Sequence, residues 1–226
     1  MAEEMSIQQY IQKHSEKDAF ATVMFVYQSA LIQMRSRIDV LNNELSQVYS
    51  YNPIDYVKIR LKTPERIMQH LRKQGHNLNV NDLIVSLHAI TGIRITCSFF
   101  SEVYFLSDMI AKQDNLEVLS IKDYIKNPKE SGYMSYHMLL SIPVALADAV
   151  VPAKVELPTS PMAMDFWASL EHKLKYKKDI VSDQLTADLK LCADESAALD
   201  LKMDRIRKEI EVLKTSPAKV EDGKNQ

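Results

Sequence analysis

Glycine is scarce, with 4 residues in 226. So few glycines exclude the G-x-G-x-x-G and Walker-type loops that hold phosphates on backbone amides, and a phosphate bound by this chain must be held by side chains. Cysteine is scarcer still. Cys97 and Cys192 lie far apart and in no metal-ligand spacing, which argues against a disulfide scaffold or a zinc module and suits a reducing compartment. No run approaches the roughly 18 apolar residues of a membrane span, and the first residues, MAEEMSIQQYIQKHSEKD, are polar and acidic where a signal peptide is basic and then apolar. A cytoplasmic protein without a membrane partner is expected. Excess charge is missing too. Lys+Arg 28 against Asp+Glu 30 leaves a net charge of -2, so no overall field recruits nucleic acid or anionic lipid, and any basic site must be local.

What is present is an ordinary globular composition, 46% hydrophobic and 26% charged, long enough to bury a core. From Asp18 to about Ser50, the residues Phe20, Met24, Tyr27, Leu31, Met34, Ile38, Leu41, Leu45 and Val48 recur every three or four positions, which predicts one long amphipathic helix. A short alternating stretch, Tyr56 to Lys62, reads as a strand. Thr63-Pro64 then opens a helix with Thr63 as N-cap and Pro64 in its first turn, and Gly75 stops it. A helical segment near Asn81 to His88 leads to a strand at Ile93 to Phe100, a helix near Ser101 to Gln113 and a strand near Leu116 to Ile121. Strands at Tyr136 to Val144 and up to Glu156 follow. Helices and strands alternating in this way predict an α/β or α+β sheet domain over about 50–160.

Beyond Pro161 the chain reads as helical. Met164, Trp167, Ala168, Glu171 and Leu174 share one face, and Leu199, Met203, Ile206, Ile210 and Leu213 form a short heptad seam. A seam of about four turns needs a partner helix, either in another copy or in the long first helix of the same chain. The expected organisation is an N-terminal helix over 1–50, a central domain over 51–178, C-terminal helices over 179–214 and a disordered tail over 215–226. Lys173, Lys175, Lys177 and Lys178 make a basic run, but no aromatics are interleaved with it, so it predicts a solvated helix face and no RNA contact.

Three segments carry a resemblance. Ala163-Met164-Asp165-Phe166-Trp167-Ala168-Ser169-Leu170-Glu171-His172-Lys173-Leu174, Asp123-Tyr124-Ile125, and Gly132-Tyr133 with Ser135-Tyr136-His137 make the chain similar to the small alarmone synthetases, single-domain relatives of the RelA/SpoT proteins. The likeness runs from the first helix to about Glu211. It implies a nucleotidyltransferase-like α+β fold, a mixed sheet flanked by helices, with helical extensions that build a homotetramer. It also implies Mg²⁺-dependent transfer of pyrophosphate from ATP to the ribose 3′-hydroxyl of GDP or GTP. Such a reaction asks a protein for cations on the ATP phosphates, carboxylates on the metal, and help in removing the proton of the attacking hydroxyl.

Position by position, the match is uneven. The family's ATP clamp runs Arg-x-Lys and then Ser and Lys on the next helix; here Arg60 and Lys62 match, but Arg66 and His70 stand at the later positions. The family's Asp-Ile-Ala-Gly-x-Arg becomes Ala89-Ile90-Thr91-Gly92-Ile93-Arg94. Arg94 is kept on the ATP side while the metal-binding carboxylate is a methyl group, useless to Mg²⁺. Glu156 matches the family's catalytic Glu, yet Glu-x-Gln-x-Arg-Thr is Glu156-Leu157-Pro158-Thr159-Ser160-Pro161, and Pro158 predicts that the strand ends there or lies at an edge. On the acceptor side Lys129, Gly132, Tyr133 and His137 all match, and the resemblance gives Tyr133 the task of stacking on guanine. The departures gather on the ATP and Mg²⁺ side. They predict a guanine-nucleotide-binding homologue with impaired catalysis, poor ATP binding, doubtful use of Mg²⁺ and a residual Glu156. An active transferase with a rebuilt site, or a partner that co-assembles with an active paralogue, are the alternatives.

Overall fold

The computed structural model describes residues 3–14, 18–49, 52–61, 67, 69, 72, 84, 91–177 and 182–215. In chain order these form β1 (Glu3–Glu4), α1 (Ile7–His14), α2 (Ala19–Tyr49), β2 (Ile54–Leu61), β3 (Thr91–Cys97), α3 (Glu102–Ala111), β4 (Glu117–Asp123), β5 (Tyr136–Ala145), β6 (Ala149–Pro161), α4 (Met162–Lys177) and α5 (Asp183–Thr215). The helices predicted at 63–75 and 81–88 fall outside the described residues apart from Ile67, Gln69, Arg72 and Ile84, each of which is helical. The predicted tail also lies outside them beyond Thr215.

Alternation builds the sheet. Met138, Leu140, Ile142 and Val144 on β5, and Val151, Ala153, Val155 and Leu157 on β6, are all buried. The intervening His137, Leu139, Glu156 and Pro158 face the other side. Strand order is β2-β3-β6-β5-β4, with β1 pairing in parallel to the start of β6 through Glu3–Ala149. β3 and β6 are also parallel, and the pairs β2–β3, β4–β5 and β5–β6 are antiparallel, so the sheet is mixed.

One face is closed by α2 and α3. On α2, Val23, Val26, Tyr27, Ala30, Leu31, Met34, Ile38, Leu41 and Leu45 are buried against the sheet, and Asp18 caps the first turn through the Ala21 N–H at 3.0 Å. Val48, read as the last member of this stripe, is exposed. The opposite face is covered at one end by α4 and otherwise carries the polar residues of the site.

One sequence expectation needs correction, and one of two alternatives falls away. β6 neither ends at Glu156 nor lies at an edge; it runs to Pro161 between β3 and β5. Pro158 is tolerated because the parallel ladder pairs Gly92 with Glu156 and resumes at Ile95–Thr159, skipping the position with no N–H to give, while the antiparallel side pairs Pro158 with His137. The apolar seam is not covered by the first helix either. Leu199, Met203, Ile206, Ile210 and Leu213 are 36–74% exposed, since α5 packs on α4 with its other side.

Buried carboxylates fasten α5. Asp200 accepts the Ala163 and Met164 N–H groups at 2.9 Å each, capping α4 from a distant helix, and Asp204 accepts the Ser101 hydroxyl at 2.6 Å. Among the described residues no helix is long and apolar enough to cross a membrane.

Candidate functional site

The loop between β4 and β5 starts from Asp123. Its carboxylate accepts the N–H groups of Ile125 and Lys126, both at 3.0 Å, and the Tyr104 hydroxyl at 3.1 Å. Burial would raise its pKa, but these donors outweigh that and hold Asp123 below its ordinary value. The turn closes with Gly132 N–H donating to the Lys129 carbonyl at 2.8 Å and Lys129 N–H donating to the Tyr133 carbonyl at 3.2 Å. Gly132 sits at φ +83°, in the region that favours glycine.

This turn brings the predicted acceptor residues together. The Lys129 ammonium lies 4.5 Å from the Tyr124 ring centroid and 5.1 Å from that of Tyr133, within cation–π range of both. His137 meets Tyr124 and Tyr133 edge to face, at 5.1 and 5.8 Å. Tyr133 Oη is 3.1 Å from His137 Nε2, and His137 Nδ1 is 3.0 Å from Glu156 Oε1. With Nδ1–H donating to Glu156, Nε2 accepts from the Tyr133 hydroxyl. The hydrogen bond from His137 depresses the Glu156 pKa against the opposing effect of burial, aided by the positive charges of Lys122 and Lys129. Burial raises the Tyr133 pKa, so the phenol is a protonated donor. The result is a Tyr133–His137–Glu156 chain that can present hydrogen-bond partners and an anionic oxygen to a bound nucleoside.

The side that the resemblance assigns to ATP is organised differently. Arg94 shares a sheet face with Glu156, being two residues beyond Gly92, the β3 partner of Glu156. Its Nη1 donates to Asp165 Oδ1 at 3.1 Å; Asp165, in the first turn of α4, is 1% exposed. Tyr56 donates its hydroxyl to Asp165 Oδ2, and Lys58 Nζ stands 3.6 Å from the same oxygen. Burial, followed by the bond to Asp165, raises the Tyr56 pKa. A cavity of about 330 Å³ opens beside Lys58 and Arg94, walled by Ala168, Ser169, His172 and Lys173 of α4. Arg60 is on β2 opposite Gly92. Lys62, Arg66, His70 and Ala89 lie outside the described residues, as do their distances to Glu156.

The family's Mg²⁺ needs at least two hard oxygen donors. Glu156 is one and is engaged by His137, position 89 supplies none, and among the described residues no three His, Cys, Asp or Glu side chains are grouped to hold a metal ion. Among the described residues, Glu156 alone represents the donor set that the family uses for Mg²⁺.

Asp165, Tyr56 and Tyr124 were not singled out as site residues in sequence. The signal for Tyr56 was available, because Tyr56 and Lys58 alternate on a strand and share a face. For Asp165 there was only its place in the recognised block.

The chain is similar to known proteins over most of its length. The family profile described as the region found in RelA / SpoT proteins matches residues 59–181. The chain is 36% identical over 189 residues to the GTP pyrophosphokinase YwaC of Bacillus subtilis (strain 168), covering 83% of this chain and 90% of that protein. It superposes on the crystal structure of small alarmone synthetase 2 from Bacillus subtilis with a TM-score of 0.76 at 36% identity, covering 84% of this chain and 98% of that one. Small alarmone synthetase 1 from the same organism, bound to its product pppGpp, aligns with a TM-score of 0.77 at 25% identity over 86% of this chain and all of the other. With the profile match spanning more than half of its length and the mixed sheet in common, the chain belongs to the RelA/SpoT family, as a small alarmone synthetase homologue.

Proposed function

We propose that this chain, working in the cytoplasm, binds GDP or GTP on the loop around Lys129 and Tyr133 and has lost efficient transfer of pyrophosphate from ATP. The observation that carries the reading is the contrast between the two halves of the site. Lys129, Tyr124, Tyr133 and His137 interlock as an intact acceptor cluster, and an aromatic ring that stacks on a base contributes about 1–3 kcal/mol. A relative of known structure holds pppGpp, which supports a guanine nucleotide here. Across the site, Arg66, His70, Ala89 and Ser160 stand where the family has Ser, Lys, Asp and Arg. Arg94 and Lys58 share the buried Asp165 carboxylate, so part of their charge is spent within the protein.

Incubation of the purified protein with radiolabelled ATP, Mg²⁺ and GDP or GTP, beside an active synthetase, is expected to give no guanosine tetra- or pentaphosphate above background. Calorimetry is expected to detect weak GDP binding and weaker binding of a non-hydrolysable ATP analogue. Ala89→Asp alone is not expected to restore turnover, because Arg66, His70 and Ser160 remain. Robust turnover with tight, Mg²⁺-dependent ATP binding would replace this reading with an active pyrophosphotransferase built on a different donor site. The 36% identity to a GTP pyrophosphokinase favours that second reading.

The assembly is proposed to be a homo-oligomer, a tetramer as the resemblance implies, open to mixing with an active paralogue. The exposed seam Leu199, Met203, Ile206, Ile210 and Leu213 supports it, since a row of this kind in water needs a partner surface. Light scattering is expected to give an oligomer that Ile206→Asp dissociates with the fold intact. A wild-type monomer would discard this part.

A further inference from the structure

Helix α5 reaches the acceptor loop from behind. Ala193 is fully buried, and a Cβ on Gly132 would come 2.7 Å from the Ala193 Cβ and 3.4 Å from the Lys190 carbonyl oxygen. The loop and the helix touch at a point where only glycine fits on one side and only a small residue fits on the other. One turn earlier on α5, the Leu189 carbonyl accepts the Trp167 Nε1–H at 2.9 Å. The Trp167 indole in turn stacks on Tyr133, with ring centroids 6.4 Å apart and planes at 29°. Met164, Trp167, Ala168 and Ala193 thus form a small buried core of their own, separate from the core beneath the sheet, with Tyr133, Met134 and Ala197 packed against it. Close-packed contacts of this kind shift between discrete arrangements and do not yield smoothly.

We propose that α5 sets the affinity of the acceptor loop for a guanine nucleotide, with Trp167 and Ala193 as positioning residues that act through Tyr133 and Gly132. This rests on the reading of Tyr133 as the ring that stacks on the base. A base gains from an aromatic side chain in proportion to how little ordering that side chain still needs, and the indole and helix behind Tyr133 supply the order in advance. The same helix carries the apolar seam on its exposed side. A partner helix that displaces α5 therefore changes guanine affinity, and by linkage a bound nucleotide changes the assembly equilibrium by the same factor.

Trp167 is the only tryptophan in the chain, so its emission reports on this contact in the full-length protein without a label. Three measurements test the proposal: GDP titration followed by calorimetry, the same titration followed by Trp167 fluorescence, and amide hydrogen exchange over 129–135 without nucleotide. GDP is expected to change the Trp167 emission of the wild type. Ala193→Leu, which presses on Gly132, is expected to weaken GDP roughly tenfold, within the usual range of coupling energies, and to speed exchange in 129–135. Exchange in β5 and β6 is expected to stay unchanged, and Ala193→Ser, close to alanine in size, should behave as the wild type. Trp167→Phe, which keeps a ring but loses the bond to Leu189, should act in the same direction. Wild-type protein that releases no heat with GDP would overturn the acceptor-site reading, and the exchange data would still judge the contact. GDP binding and 129–135 exchange both unmoved in Ala193→Leu would overturn the coupling and leave that reading standing. If Ala193→Leu speeds exchange throughout the chain, Trp167→Phe decides by calorimetry and exchange over 129–135, since it removes the emitting residue.

Discussion

Asp165→Asn is expected to lower the unfolding free energy by about 3 kcal/mol, at the low end of the cost of breaking a buried ion pair. The carboxylate is 1% exposed and is shared by Arg94, Lys58 and the Tyr56 hydroxyl. Neutralising it leaves the Arg94 guanidinium, whose side chain is 25% exposed, without its counter-charge, and that partial exposure keeps the loss from being larger. For a chain of this length the fall in Tm should be roughly 6–12 °C. Lys58→Ala is the informative control. Lys58 is mostly solvated and its loss should cost less than about 1 kcal/mol. Urea unfolding followed by Trp167 emission measures both variants, and equal losses would show that the cluster behaves as a surface ion pair.

That cluster also shows where reading the sequence stops. Lys129, Gly132, Tyr133 and His137 fall within nine positions of one another, so one turn and the head of one strand bring them together, and the motif they make is visible as a string. Asp165 is 109 residues from Tyr56 and 71 from Arg94. Contacts at such separation depend on how α4 crosses β2 and β3, which periodicity does not encode. Regular elements were legible where burial is one-sided: α2 from its stripe of apolar residues, and β5 and β6, the latter as far as Glu156, from their strand-forming residues. The stripe on α2 misled only at Val48, where the helix outruns the sheet. Pro158 misled for a different reason. A proline forbids a central strand only if its missing N–H would have served a ladder, and that depends on the register against β3, a property of the pair of strands and not of either sequence. The departures at Ala89, Arg66 and His70 were legible only as substitutions against a family pattern.

The second large effect is on pH dependence, and it comes from Glu102. This carboxylate, at the start of α3, is 3% exposed; Oε2 accepts the Phe99 N–H at 2.8 Å, and Oε1 is buried with no hydrogen-bond partner. Burial pushes its pKa up to about 7. The Phe99 and Ser98 N–H groups and the Arg207 charge pull the other way, and the Asp204 charge adds to the rise. Lys208, 2.7 Å from Asp204, and Glu211, 2.7 Å from Arg207 Nη1, add further charge to this junction from α5. Because the folded pKa lies above the value near 4.5 of an unperturbed Glu, the folded state binds the proton more tightly than the unfolded one. The stability that goes with that proton is fully present below about pH 4.5 and is lost as pH rises through about 7. The loss is at most about 3 kcal/mol. Glu102→Gln keeps the shape and the acceptor for Phe99 N–H but cannot ionise. Its stability relative to wild type should therefore rise steadily between pH 5 and pH 7.5 and level off above that. Parallel stability profiles for the two proteins across this range would mean that Glu102 is hydrated in solution. A gap that opens with pH would place the titrating group at the contact between α3 and α5, where Asp204 and Arg207 hold the helix that backs the acceptor loop.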